Sequence, residues 1–177
     1  MNSSAKKQDY NFEAEVSKLL DIVANSLYSE REIFIRELIS NSADACEKLR
    51  YLAIKKVGLL DNDKEFSIKI TFSKKNKIIS IEDNGIGMSK KELIDNLGTI
   101  ARSGTSKFIE SIKSKKNQNI SAIGQFGVGF YSSFMVSENV KVISKHINEK
   151  NSYSWKSDGK NNYSIEEEVK DSRGTIV

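Results

Sequence analysis

Glu37, Asn41, Asp44 and Lys48 follow at steps of four, three and four residues, so on an α-helix all four side chains leave one face. Two acids, a carboxamide and an amine gathered there offer a proton acceptor and oxygen ligands for a hard cation. A polar stripe of this kind is ordinarily a solvated helix face, while Leu38, Cys46, Leu49 and Ala53 on another side supply the core contact. Two turns of small residues elsewhere in the chain argue for more.

The first turn follows Asp83, in Asp83-Asn84-Gly85-Ile86-Gly87-Met88. An Asp-Asn-Gly turn is common, but a second glycine two residues on lets a planar ring lie against bare backbone while the carboxylate accepts from an exocyclic amine. An adenine pocket uses that arrangement. The second turn, Gly124-Gln125-Phe126-Gly127-Val128-Gly129, precedes a predicted buried helix through Phe130, Phe134 and Met135, and glycine amides at a helix N-terminus form an anion site. Its spacing is not the dinucleotide fingerprint, no repeated βαβ pattern accompanies it, and neither a P-loop nor the protein-kinase motifs occur. With the helix face, these turns point to ATP as ligand.

These parts need elements to hold them. Residues 13–28 are predicted to form an amphipathic helix, and Ser29 with Glu32 three residues later reads as a capping box opening a helix over about residues 30–55. Residues 66–72 and 77–83 alternate as a hairpin that ends at the Asp83 turn. A second capping box, Ser89 with Glu92, opens a short helix. Residues 102–122 mix Gly, Ser, Asn and Lys, the composition of a surface loop or a flap over a site. Beyond residue 138 come four strand-like runs too close together for parallel crossovers, hence antiparallel neighbours. The expected class is α+β, a two-layer α/β sandwich with a mostly antiparallel sheet covered by helices on one face.

Composition narrows the field. The chain has 177 residues, 29% charged and 38% hydrophobic, the size and balance of a single globular domain. A formal charge of +4, with lysines scattered among acids, gives no basic stripe for nucleic acid. Cys46 is the one cysteine and His146 the one histidine, so neither a disulfide nor a zinc set is available. His146 reads as an edge residue and Trp155 as packing. With no signal sequence or membrane-length apolar run, the expectation is a cytoplasmic protein without a membrane partner. The closing Thr-Ile-Val reads as a strand just beginning, as in a fragment of a longer protein.

The strings SLYSEREIFIRELISNSADACEKLR, DNGIGM, LGTIARSGT and IGQFGVGFYS, in this order, resemble the N-terminal domain of the heat-shock protein 90 chaperones, especially the bacterial type. More broadly they resemble the Bergerat ATP-binding fold of the gyrase, histidine-kinase and mismatch-repair ATPases. The similarity runs from about Phe12 to Val177. It implies Glu37 as general base for the attacking water and Asn41 as the ligand of Mg2+. It implies Asp83 as the adenine acid, with Gly87 and Thr175 supporting through water, Met88 packing on the base and Asn96 near the sugar or α-phosphate. Asp44, Ala45, Lys48 and Leu97 belong to the same implied ATP/ADP-binding set. Gly124 to Phe130 would hold the phosphates, and residues 98–123, with Arg102, Ser103 and Gly104, would form the lid. Arg102 stands where these chaperones usually carry lysine, which keeps the charge and changes the geometry. The resemblance further implies client proteins as partners, a homodimer through domains absent here, no DNA, and a catalytic arginine in a following domain, so that hydrolysis by this chain alone is weak. Alternative readings are a histidine kinase catalytic domain, a topoisomerase or mismatch-repair ATPase, and a binding-only module. The segment from LGTIARSGT to IGQFGVGF and the missing basic stripe favour the chaperone.

Overall fold

β-Branched and aromatic residues alternating with polar ones make Ile68–Ser73 (β2) and Ile78–Asp83 (β3) an antiparallel hairpin, as predicted. Its four-residue turn, 74–77, places Lys77 at a φ of 54°. The computed structural model describes residues 8–11, 31–56, 58–60, 65–98, 129–160 and 162–177. Predicted elements over 13–28 and 102–122 lie outside these residues.

The long helix α1, Ile33–Lys55, buries Phe34, Leu38, Ser42, Cys46 and Leu49, one stripe at helical spacing. Its start corrects the predicted capping box. Glu32 is the N-cap residue itself, makes no side-chain cap bond, and does not stand at the third helical position; Ser29 lies outside the described residues. The entry amides of Phe34 and Ile35 instead donate to the carbonyls of Arg31 and Glu32, at 3.3 and 3.2 Å. Backbone bonds three residues apart thus satisfy donors that a side-chain cap would otherwise take. At α2, Lys90–Leu97, the predicted box is realised: Ser89 Oγ accepts from Glu92 N at 3.2 Å, and Glu92 Oε2 accepts from Ser89 N at 2.9 Å.

The buried helix predicted after Gly129 is present as a 3-10 helix, Gly129–Met135. Ser132 Oγ donates to Gly129 O at 2.5 Å and Ser133 Oγ to Phe130 O at 2.7 Å, both reaching back three residues. The tight turn lets Phe130 pack edge-on to Tyr131, Phe134 and Trp155. Trp155 is fully buried and stacks on Tyr163 at 5.7 Å, the packing role expected of it.

Three of the four late runs, Val140–Lys145 (β4), Tyr153–Ser157 (β5) and Asn162–Glu167 (β6), pair in sequence order and antiparallel, as predicted. The fourth, Gly174–Ile176 (β7), does not continue beside β6 but inserts between β4 and β3. It thereby joins the hairpin to the rest of the sheet. A strand that the sequence reading did not foresee, Gln8–Asn11 (β1), closes the far edge on β6. The order is β1-β6-β5-β4-β7-β3-β2, and every pairing is antiparallel.

Residues opposite one another in adjacent strands share a face. Ile81, Val142, Trp155, Tyr163 and Ile165 form one core with Phe34 and Leu38 of α1, Leu93 and Leu97 of α2, and Phe130 and Tyr131 of the 3-10 helix. The helices therefore cover one face of the sheet, and the α+β two-layer architecture stands as predicted.

Candidate functional site

Asp83 ends β3 on the helix-covered face, and the register places it opposite Thr175, which in turn faces Ser144 of β4. An acid and two hydroxyls thus stand in a row across neighbouring strands, and all three are buried. Burial raises Asp83 from 3.8 to about 6, against the lowering effect of hydrogen bonds from the Gly85 amide, the Thr175 backbone and the Ser42 hydroxyl, and of the Lys170 charge. Its Oδ1 accepts from Gly85 N at 2.9 Å. Asn84 turns elsewhere, accepting from Ser67 N and donating to Glu65 O, both at 2.8 Å, so the acid alone of this pair serves the interior.

The turn after Asp83 hangs between helix and sheet. Ile86 N donates to Ala45 O of α1 at 3.2 Å, and Ile86 O accepts from Ile147 N beyond β4 at 3.0 Å. A Cβ at Gly85 would lie 2.6 Å from the Ala45 carbonyl carbon and 2.7 Å from Cys46 N, so the close approach requires glycine. Gly87 has a φ of 68° and presses on the backbone of Lys145, and any side chain there would collide with it. Met88 follows, half-buried against the core, its amide held by Ser144 Oγ at 2.7 Å. Cys46, behind this turn, has its thiol pushed up to about 11 by burial and by the Asp83 carboxylate, so it remains protonated and unreactive.

Glu37 lies on α1 two turns before Ala45. Gly129 is packed so closely on it that a side chain at that glycine would meet the Glu37 carboxylate. Asn41 is exposed one turn further on, and Asp44 and Lys48 are half-buried, so the four polar positions stand clear of the buried stripe. Eight residues separate Glu37 from Ala45, about 12 Å along the helix at 1.5 Å per residue. Acid and turn sit at one end of that stretch, Glu37 and the last glycine of its cluster at the other, an elongated arrangement suited to a nucleotide.

Among the remaining sequence candidates, Asn96 is half-buried near the end of α2, and Leu97 is a core residue whose carbonyl accepts from Tyr131 OH at 3.0 Å. Phe130 likewise gives its ring to the core. Arg102, Ser103, Gly104, Gly124, Gln125, Phe126, Gly127 and Val128, with the lid span apart from Gly98, lie outside the described residues. His146 accepts from Asn148 N through Nδ1 at 3.2 Å, a local turn contact. Sequence reasoning missed Ser42 and Ser144. A serine inside the apolar stripe of α1 is a signal that could have exposed Ser42; for Ser144, only strand register supplies one.

Among the described residues no three His, Cys, Asp or Glu side chains gather as a metal cluster. The exposed Asn41 carries a side-chain oxygen of the hard kind that magnesium accepts. Nor is any described helix long and apolar enough to cross a membrane.

Comparison with known proteins agrees with this geometry. Residues 17–173 match the family described as histidine kinase-, DNA gyrase B-, and HSP90-like ATPase. The chain is 51% identical over 177 residues to the chaperone protein HtpG of Roseobacter denitrificans, covering 100% of this chain and 28% of that protein. Identity is 49% over 174 residues to HtpG of Rhodospirillum rubrum, and 50% over 173 to that of Francisella tularensis subsp. novicida, each covering 97% of this chain and 28% of the relative.

Proposed function

The chain belongs to the family of histidine kinase-, DNA gyrase B- and HSP90-like ATPases, and from that premise we propose that it is the nucleotide-binding domain of a chaperone, binding ATP and hydrolysing it to ADP and phosphate. It spans 28% of the length of the curated relatives that it matches. Client proteins, a homodimer formed through further domains, a cytoplasmic setting and the lid at 98–123 belong to this proposal.

The observation that carries it is the buried Asp83 at the end of β3, before a glycine turn that packs on Ala45 of α1, with Glu37 against Gly129 two turns earlier on that helix. Asp83, as an acceptor, takes the adenine amine, while Gly87 and Met88 present backbone and thioether to the ring. Glu37 orients a water toward the terminal phosphorus and takes its proton as the new P–O bond forms and the bond to the leaving diphosphate breaks. Asn41 would hold Mg2+, which when bound offsets phosphate charge. Gly129 and the glycine cluster before it, which lies outside the described residues, are assigned to the phosphates by the family resemblance.

Calorimetric titration with ADP and magnesium tests the binding half. The unsubstituted chain is expected to bind and Asp83→Asn to lose at least tenfold in affinity, because an amide NH2 set against the adenine amine opposes donor to donor. Unchanged affinity in a folded Asp83→Asn protein would remove adenine from this pocket.

A further inference from the structure

We propose that Ser144 is the positioning residue of the base-binding end, holding Met88 and Thr175 in register with Asp83. The inference rests on the adenine reading of that pocket. Ser144 is fully buried on the helix-covered face of β4, one strand removed from Thr175 and two from Asp83. Its hydroxyl accepts from Met88 N at 2.7 Å, shares a proton with Thr175 Oγ1 at 2.8 Å, and lies 3.3 Å from Gly174 O. Backbone bonds hold Ile86 on both sides, to Ala45 and to Ile147, but the Met88 amide depends on this one side chain.

A hydroxyl has one proton to give and two lone pairs to receive. Met88 occupies one lone pair, so the remaining capacity is divided between Thr175 and Gly174. If Thr175 donates to Ser144, the serine proton must go to the more distant Gly174 carbonyl. If Ser144 donates to Thr175, the same 2.8 Å contact is used with the opposite polarity and the Thr175 proton is released for a ligand or a bridging water. A ligand atom or water that accepts from Thr175 selects the second arrangement. Thr175 then offers a donor beside the acceptor Asp83, and that pair complements a purine edge carrying an amine next to an unprotonated ring nitrogen. Ser144 thereby fixes the placement of the Met88 platform and gives Thr175 a partner of either polarity, without touching the nucleotide.

The test is ADP affinity by calorimetry for the unsubstituted chain, Ser144→Ala and Ser144→Thr, with amide hydrogen exchange at Met88. Ser144→Ala is expected to weaken ADP about tenfold and to speed Met88 exchange, and Ser144→Thr, which keeps the hydroxyl, to recover affinity to within about threefold. A serine that is merely structural would lower stability and leave the ADP affinity of the folded fraction intact. Unchanged affinity in folded Ser144→Ala overturns the role of Ser144 while leaving the adenine pocket standing, as does an equal loss in Ser144→Thr with Met88 exchange unmoved. Absence of ADP binding by the unsubstituted chain removes the adenine reading and this inference with it. Should Ser144→Ala not fold, the unsubstituted chain without nucleotide decides: slow exchange of the Met88 amide supports the tether, and exchange at the rate of an exposed loop amide overturns it.

Discussion

A carboxylate buried beside three hydrogen-bond donors and still raised to about 6 is held at a cost in free energy, and Asp83 is such a group. Between 3.8 and about 6 the folded chain keeps a proton that the unfolded chain has lost, so the stability contributed by Asp83 is full below 3.8 and declines as pH rises through about 6. A shift of this size corresponds to roughly 3 kcal/mol. Denaturant unfolding between pH 4 and 7 is expected to show that decline and Asp83→Asn to abolish it; a variant with the same slope would assign the decline elsewhere. On the proposal that the ionised Asp83 takes the adenine amine, ADP affinity should fall about tenfold per pH unit below the folded pKa, with proton release there visible as buffer-dependent binding heat. Flat affinity from pH 5 to 8 would mean that Asp83 binds as the neutral acid. Glu37 is expected to behave differently. On the proposed role, in which it serves the water rather than the bound nucleotide, Glu37→Ala should lower turnover by 100-fold or more and leave ATP affinity within a few-fold. Parallel loss of both in steady-state kinetics and titration would make Glu37 a binding residue.

Among the elements, the two predicted capping boxes had unequal outcomes for a physical reason. Ser89 and Glu92 stand between a turn tethered to Ser144 and a helix whose Leu93 and Leu97 reach the core, so local chemistry and packing agree. At α1 the burial of Phe34 near the start of the helix and the turn bonds that the Phe34 and Ile35 amides donate to the Arg31 and Glu32 carbonyls set the start instead. Ser89→Ala removes one acceptor and half of a reciprocal pair, and thermal or denaturant unfolding should record a loss of about 1 kcal/mol. Stability unchanged within a few tenths of that would show that core contacts alone hold α2. The predicted buried helix after Gly129 is of the 3-10 type, a distinction that its aromatic spacing leaves open because that spacing suits either helix.

For the molecule as a whole, the candidate site is a joint between layers. α1 contributes Glu37, Asn41 and Ser42, the sheet contributes Asp83, Ser144 and Thr175, and Gly85 and Gly129 are the close-packed points where turn and 3-10 helix meet α1. The family resemblance assigns a catalytic arginine to a following domain, and an arginine supplied from elsewhere is worth about 10³–10⁵ in rate in related chemistry. A longer form carrying the domains that follow in the relatives is therefore expected to turn over ATP far faster than this chain, without matching tightening of ADP. Equal turnover by both forms in a phosphate-release assay would show that the 177 residues complete the site unaided.

What the sequence by itself determined was whatever depends on near neighbours in the chain. The polar face of α1 follows from helical period, the hairpin from period two, the Ser89 cap from a spacing of three, and the Asp83 turn from acid and glycine side by side. The family followed from strings long enough to be specific. Tertiary structure alone decided that β7 inserts between β4 and β3, because nothing local distinguishes that pairing from one beside β6. The insertion brings Thr175 to Asp83 and Ser144 to Thr175, residues separated by 92 positions and by 31, so the hydroxyl row exists only after the sheet closes. Ser42 joins them for the same reason: a serine reads as polar surface until the acid it serves is folded against it.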